Sequence, residues 1–215
     1  MMKHFLNAIR KPVRIPIFQQ AITSFLLFVL GVLLGVISKV LDETASNLLP
    51  SFLEGLDLRN FFSRMGVWMF LAVCISLYSK SPLRSVINVF LFFGGMVSSY
   101  YVYTIAIAGF FPKTYMMIWI GLTVLSPLLA FVCWYAKGEG TIAIAISSII
   151  LLFMSRQVFV FGFWYFDLLH PLEFLLWVGT IFILYQSPKQ IMKVLVMGMI
   201  FFFLTARMNL LFGLL

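Results

Sequence analysis

Arg156 is a cation inside a long apolar stretch, in the sequence Met-Ser-Arg-Gln. A cation at membrane depth costs roughly 2.5–3.5 kcal/mol and persists only beside an anion, carbonyl groups or water. We therefore expect Arg156 to recognise an anionic group on a small solute, with the neighbouring Gln157 as a further hydrogen-bonding contact. The alternative is that the helix ends early and the Arg156 side chain reaches outward to the membrane surface.

The densest ionisable group is Asp167, His170 and Glu173, which follow one another at intervals of three residues. A histidine with two carboxylates can bind a metal. However, Pro171 suits the first turn of a helix, and Glu173 is favoured near the positive N-terminal end of that helix. We expect Glu173 to descend towards Arg156 as part of the solute site, and we expect no metal site.

Hydroxyl groups near the middle of the apolar segments are the remaining candidate solute contacts. Ser98, Ser99 and Tyr100 follow one another in the third segment, and Ser126 lies in the fourth. A glycine precedes each of the two adjacent serines by four residues, which is also the spacing that lets two membrane helices approach closely. The hydroxyls therefore predict either a polar cavity or a helix contact.

Catalytic patterns are missing from the sequence. It contains no H-E-x-x-H, no G-x-S-x-G, no Walker A loop and no dinucleotide-binding glycine pattern. Its acidic residues all fall outside the cores of the apolar segments, so no carboxylate pair is available for acid–base chemistry in the membrane. We expect no catalytic residues, no cofactor and no enzymatic activity.

Long apolar segments must position these side chains. Hydrophobic residues make up 63% of the 215 residues and charged residues 10%, a composition that a soluble domain could not bury. Because a span needs about 20 apolar residues, the sequence predicts an all-α, polytopic transmembrane bundle of about seven spans, with six spans and a re-entrant segment as the alternative. The predicted spans are 18–38, 62–79, 85–111, 114–136, 141–165, 172–186 and 191–206. The second has to extend back past Arg64.

The distribution of charge predicts the orientation. With the N-terminus in the cytoplasm, most lysines and arginines fall on the inner side and all the acids except Glu139 on the outer side, as the positive-inside rule requires. We expect a multi-pass protein of a cell membrane, specifically the bacterial cytoplasmic membrane. The net charge of +8 is explained by this topology, so we expect no nucleic-acid partner.

The chain divides into a basic cytoplasmic segment, 1–17, and one transmembrane domain, 18–215, with an outer loop at 41–61. Leu6 and Ile9 lie on an apolar side of the basic segment, which predicts a short helix resting on anionic lipids; docking on a partner is the alternative. The outer loop contains Ser51 and Glu54 in the spacing of a capping box, which predicts the start of a short helix.

An internal repeat is also indicated. The second span ends in Leu77-Tyr78-Ser-Lys-Ser81-Pro82 and the sixth in Leu184-Tyr185-Gln-Ser187-Pro188. A four-span offset would fit two parallel repeats of three spans joined by a linker helix, as found in some transporters. The alternative is that tyrosine, lysine and a Ser-Pro turn are common features of inner-face loops.

Three functions remain open, and the third of them, an ion or proton channel, fits poorly because every acid lies outside the apolar cores, although an anion path past Arg156 is harder to exclude. The first is handling of a small solute, as a small transporter or as the membrane-embedded binding subunit of one that works with an ATPase. In size, predicted N-terminal side and long first outer loop, the chain shares the layout of bacterial vitamin-uptake binding subunits, without a shared motif. The second is an accessory, regulatory or immunity-type membrane protein without transport activity. Its contact surfaces would be the basic segment and the Gly31-Val-Leu-Leu-Gly35 motif, against partner membrane subunits.

Overall fold

Long apolar helices make up most of the chain that the computed structural model describes, namely residues 2–44, 50, 55–109, 112–161 and 165–205. The all-α membrane bundle predicted from the sequence is confirmed. The helices are α1 (Met2–Ile9), α2 (Ile17–Glu43), α3 (Leu58–Ser63), α4 (Met65–Tyr78), α5 (Pro82–Tyr103), α6 (Lys113–Trp134), α7 (Gly140–Val158), α8 (Pro171–Leu184) and α9 (Pro188–Thr205). A π-helical turn, Thr104–Ala108, extends α5, and a 3-10 turn, Tyr135–Lys137, extends α6. The predicted capping box at Ser51 and Glu54 lies outside the described residues.

Within these ranges, five helices are long and apolar enough to cross a membrane, and they are α2, α5, α6, α7 and α9 with their extensions. The helices α4 and α8 are also apolar but have only 14 residues each. At 1.5 Å per residue, each is about 21 Å long, shorter than the apolar core of roughly 30 Å. Seven apolar helices therefore occupy the places of the seven predicted spans, but two of them are too short to cross the core alone.

Two predicted span boundaries were wrong. The fifth span, expected over 141–165, ends as a helix at Val158 and continues into an antiparallel hairpin of β1 (Phe159–Phe161) and β2 (Phe166–Leu168). The second span does not run through Arg64, because the extended backbone of that residue separates α3 from α4.

The helices form two groups of three. In the first group, α2 packs chiefly along α5, and α4 packs against α5. In the second, α7 packs chiefly along α9, and α8 packs against α7. The long helix α6 packs against α5 and α4 of the first group and leads along the chain to the second, and α4 contacts α8 across the junction. There the ring of Phe70 lies against Gly179.

Small residues allow the closest of these contacts. A Cβ atom on Gly31 or Gly35 would collide with the backbone of α5, at the carbonyl oxygens of Phe92 and Met96 respectively. In the second group, a Cβ on Gly198 would lie 2.9 Å from Leu151 Cδ2. The GxxxG motif therefore joins two helices of the same chain, as small-xxx-small motifs do in membranes.

The two groups contain similar turns. The short helices α4 and α8 have the same length and are followed by connections of equal length, residues 79–81 and 185–187. Each connection ends in a serine that accepts a hydrogen bond from the backbone three residues on, Ser81 from Arg84 (3.2 Å) and Ser187 from Gln190 (3.3 Å). The turns are alike but the packing is not, because the short helix packs against the third helix of the first group and against the first helix of the second. The internal repeat therefore stays a prediction.

Charged residues separate to the two ends of the bundle. We call the end that holds Arg10, Lys11, Arg14, Lys80, Arg84, Lys137, Lys189 and Lys193 the basic end. The opposite end, which holds Asp42, Glu43, Asp57, Asp167 and Glu173 together with fewer cations, is the acidic end. By the positive-inside rule, the basic end is the cytoplasmic one.

The N-terminal segment does not lie free on the lipid surface, as one sequence-based expectation had it. Ile9 is buried with Trp134, Tyr135 and Ala143, and its carbonyl accepts a hydrogen bond of 2.8 Å from the Glu139 backbone. The segment therefore docks on the basic end of its own bundle.

Candidate functional site

Arg64 and Glu173 form an ion pair at the acidic end, where the N-termini of α4 and α8 meet. Arg64 Nε donates to Glu173 Oε1, and Arg64 Nη1 lies 3.4 Å from Asp57 Oδ2. Glu173 is 1% exposed, whereas a quarter of the Arg64 side chain is exposed. The pair joins the two helix groups at one point of their shared boundary.

The carboxylate of Glu173 is only partly satisfied. Its Oε2 is buried and has no hydrogen-bond partner among the described residues. The close approach of α4 brings it there, because Gly66 carries no side chain: a Cβ on Gly66 would lie 3.3 Å from Glu173 Cγ and 3.7 Å from Gln157 Cβ. A buried carboxylate oxygen without a donor is costly unless a ligand, water or proton satisfies it.

An aromatic cavity lies at the same end of the bundle, between α2, α3, α4, α5 and α6. Its walls are Ser38, Phe62, Trp68, Met96, Val97, Tyr100, Tyr101, Tyr115 and Trp119. The rings contact one another edge to face, Trp68 against Trp119 at 6.3 Å between centroids and Tyr115 against Trp119 at 6.2 Å. The cavity has a volume of about 20 Å³, enough for about one water molecule.

Polar groups surround this cavity in a mainly apolar wall. Tyr100 donates to Asp42 Oδ2 at 2.7 Å, and Tyr101 donates to the Met116 carbonyl at 2.8 Å. Trp119 is 7% exposed, and its Nε1 lies near the Tyr115 hydroxyl without forming a hydrogen bond of normal geometry within the described part of the chain. An apolar pocket with a few oriented polar groups is the usual composition of a small-molecule site.

Helix α4 links the aromatic cavity to the ion pair, because residues at its start contribute to both. Trp68 lies one helical turn after Arg64, and its Nε1 donates to the carbonyl of Phe62 at 2.8 Å, across the break between α3 and α4. A shift of α4 relative to α8 would therefore move a wall of the cavity. We refer to the ion pair and the cavity together as the acidic-end site.

Arg156 lies two residues before the end of α7, at the acidic end. Its Nη1 donates to the carbonyl of Thr205, the last residue of α9, at 3.2 Å. A cation at a helix C-terminus stabilises the unpaired carbonyls there. The helix ends early, at Val158, as one part of the alternative held. The outward reach of Arg156 and its role in binding a solute both stay predictions.

The other predicted site residues do not converge on Arg156. Gln157 and Glu173 lie together against Gly66, but Tyr100 lines the aromatic cavity. Ser98 is exposed on the bundle surface. Ser99 donates to the carbonyl of Met96 at 3.0 Å and faces Gly35, and the buried Ser126 donates to Thr123 at 2.8 Å. The serines therefore satisfy backbone groups of their own helices.

Sequence reasoning missed most of the acidic-end site, including Arg64, Trp68, Tyr115 and Trp119, and named only Tyr100 and Glu173 of its residues. An available signal was the clustering of aromatic residues near one end of several spans, together with an arginine that interrupts a predicted span. Interface markers and a binding pocket use the same residue types, so that signal did not separate them.

Metal binding finds no support in the part of the chain that the structure describes, where no three His, Cys, Asp or Glu side chains are arranged to hold an ion. Comparison with known proteins gives no match, since neither a family model, a curated protein nor a solved structure matches this chain.

Proposed function

We propose that this membrane protein handles a small solute, as a transporter or as the membrane-embedded binding subunit of one, and that the acidic-end site receives the solute. The observation that carries the proposal is the Arg64–Glu173 pair at the junction of two helix groups, together with the aromatic cavity that one turn of α4 separates from Arg64. Many transporters bind their substrate where two helix units meet; here the ion pair lies at such a junction, and the cavity lies within the first group.

The small volume of the aromatic cavity indicates that the site is closed. The cavity admits about one water molecule, whereas pockets for drug-sized ligands usually measure roughly 300–1,000 Å³. Entry of a solute requires α3 and α4 to move away from α6, and the ion pair at the start of α4 opposes that motion. The ion pair between Arg64 and Glu173 then keeps the two helix groups in contact until a solute binds.

The cavity wall indicates the class of solute. Aromatic rings favour a small, mostly apolar or aromatic molecule, and the Trp119 N–H, which only approaches the Tyr115 hydroxyl, favours one that carries a hydrogen-bond acceptor. This class differs from the anionic solute expected from Arg156. The two hypotheses place the ligand at different helices, which allows an experiment to separate them.

The two surfaces that the accessory function would use to bind a partner are both packed against the same chain. Gly31 and Gly35 of the GxxxG motif pack on α5 of the same chain, and the N-terminal segment docks on its own bundle. Both surfaces are therefore occupied without a partner subunit, which favours solute handling.

Native mass spectrometry of the purified full chain tests the proposal, because it detects a retained solute or a co-purified ATPase directly. Trp119→Phe removes the indole N–H but keeps an aromatic ring, and we expect it to lower retention of the solute about tenfold, the effect of losing one buried hydrogen bond. Trp177→Phe is the matched control, because Trp177 donates to Ser155 Oγ at 2.8 Å and lies outside the cavity.

The control should retain the solute even though it loses a hydrogen bond of its own. Retention that depends on Arg156→Ala, and not on Trp119→Phe, would place the ligand at Arg156 instead and reject the acidic-end site. A protein without any small molecule, in cells whose uptake and release of metabolites do not change on its expression, would contradict solute handling altogether.

A further inference from the structure

A second cavity, of about 270 Å³, lies at the basic end between the N-terminal segment, the end of α4 and the end of α6. Four cationic side chains line it, those of Arg10, Lys11, Lys80 and Lys137. The rest of its wall is Val13, Leu77, Tyr78, Ser79 and Trp134. It is far larger than the aromatic cavity and is separated from it by the thickness of the bundle.

The docked N-terminal segment builds this cavity. Arg10 donates from Nη1 to the carbonyl of Trp134 at 2.5 Å and from Nη2 to that of Leu77 at 2.9 Å. Its guanidinium also lies over the ring of Trp134, 4.2 Å from the centroid. The Val13 backbone then donates to the carbonyl of Lys80 at 2.8 Å. Arg10 thereby holds the C-terminal ends of α4 and α6 together.

The charge of this cavity is unbalanced. Within the described residues no carboxylate lines it, and none forms an ion pair with its four cations. The nearest acid in sequence is Glu139, whose exposed side chain follows Lys137 by two residues. Burial lowers the pKa of Arg10 from its usual value, but an arginine remains protonated at neutral pH. At least three positive charges therefore remain without a counter-charge.

The position of the cavity matches the headgroup layer. Tyr78 marks the end of α4, is 60% exposed, and has the Lys137 ammonium 4.7 Å from its ring centroid. Tyrosine and lysine at a helix end are typical of the membrane–water interface. Phosphate groups reach the membrane–water interface from two sources, the headgroups of phospholipids in the membrane and soluble organic phosphates in the water.

We propose that the basic-end cavity binds a phosphate group, presented by an anionic phospholipid or by a soluble phosphate compound. Lys11, Lys80 and Lys137 supply the charge, and the remaining N–H groups of Arg10 supply oriented donors. The bound phosphate would fix the N-terminal segment against α4 and α6. This site is independent of the acidic-end site.

Binding to the purified full chain in detergent tests the proposal with three probes: phosphatidylglycerol, phosphatidylcholine and inorganic pyrophosphate. Native mass spectrometry counts bound lipid, and calorimetry measures pyrophosphate. The test variant is Lys80→Gln/Lys137→Gln. The control, Lys189→Gln/Lys193→Gln, removes the same charge from exposed positions of the basic end outside the cavity. Both variants leave Arg10 in place, because its hydrogen bonds hold the fold.

We expect phosphatidylglycerol to bind in preference to phosphatidylcholine. The test variant should bind it about 30-fold more weakly and the control about as well as the parent protein, at roughly 1 kcal/mol for each lysine near an anionic headgroup. Displacement of the lipid by pyrophosphate would identify a site for soluble phosphates as well, and lipid binding that pyrophosphate leaves unchanged would identify a headgroup site. Equal loss in both double variants, or no binding of either anionic probe, would overturn the proposal.

Discussion

Arg64 and Glu173, 109 residues apart in the chain, are joined by a hydrogen bond from Arg64 Nε to Glu173 Oε1 at the meeting point of α4 and α8. Each residue belongs to a different three-helix group, and Glu173 is almost completely buried. The pair is the one ion pair in the described residues that spans the junction between the groups. Its strength therefore bears on how firmly the two groups are held together.

Removing either member of this pair should destabilise the bundle, and removing Arg64 should cost more than removing Glu173. Arg64→Gln leaves a buried carboxylate without a cation, and we expect a loss of about 2 kcal/mol in the free energy of unfolding. That is less than the 3–5 kcal/mol of a fully buried pair because Arg64 is partly exposed. Glu173→Gln should cost about 1 kcal/mol, since the remaining arginine reaches water.

Unfolding in mixed detergent micelles measures these changes. The double variant Arg64→Gln/Glu173→Gln should recover part of the loss, and Asp57→Asn, which removes the exposed partner of Arg64, should change stability by less than about 0.5 kcal/mol. Losses that simply add in the double variant would show that the two side chains do not interact.

The close contact between α2 and α5 predicts that an alanine at Gly31 destabilises the protein more than an alanine at Gly94. Gly31→Ala places a methyl group against the Phe92 carbonyl, so we expect a loss of about 2 kcal/mol or more in stability. Gly94→Ala in α5 is the matched control. A Cβ there meets no atom within 4 Å, and alanine is the better helix former by about 1 kcal/mol. Thermal unfolding of the two variants checks the direction of both effects, and equal melting temperatures would contradict the close helix contact.

The two serine caps should behave alike if the two groups share one design. Ser81→Ala and Ser187→Ala each remove a side-chain acceptor at the start of a long helix, which costs about 1 kcal/mol. Ser98→Ala, at an exposed position inside α5, should be neutral. Equilibrium unfolding of the three variants provides the comparison. A clear loss at one cap and none at the other would argue against equivalent turns.

Arg156 should act on the end of α9. Arg156→Gln removes the donor to the Thr205 carbonyl, so we expect faster amide hydrogen exchange near residues 202–205 and a loss of about 1 kcal/mol. Arg156→Lys keeps the charge at the helix terminus and should restore most of the protection. Unchanged exchange in Arg156→Gln would mean that the contact contributes nothing to the order of this helix end.

Helix positions followed from the sequence to within a few residues for most spans, because the length of an apolar segment is a local property that the bilayer fixes. The predicted end of the fifth span was wrong by several residues. Phe159–Phe161 are as apolar as the helix before them, yet they pair with Phe166–Leu168 as strands. Hydropathy measures the free energy of transfer into lipid, so it does not distinguish an apolar strand from an apolar helix.

The candidate site was predicted only in fragments. Tyr100, Gln157 and Glu173, which were predicted to bind a solute around Arg156, lie at the cavity or the ion pair of the acidic end. The partner of Glu173 proved to be Arg64, whose helix was expected to run straight through it. Pairings of this kind depend on which helix faces cross, and the spacing along the chain does not encode them.

By itself, the sequence determined the membrane helices, the separation of charge between their ends and the repeated Ser-Pro turns. Only the tertiary structure decided that Gly31 packs on Phe92, that Arg10 closes the basic-end cavity and that Arg64 meets Glu173. The physical reason is that lipid is as apolar as the inside of the bundle, so the apolar face of a helix does not reveal whether it contacts lipid or a neighbouring helix.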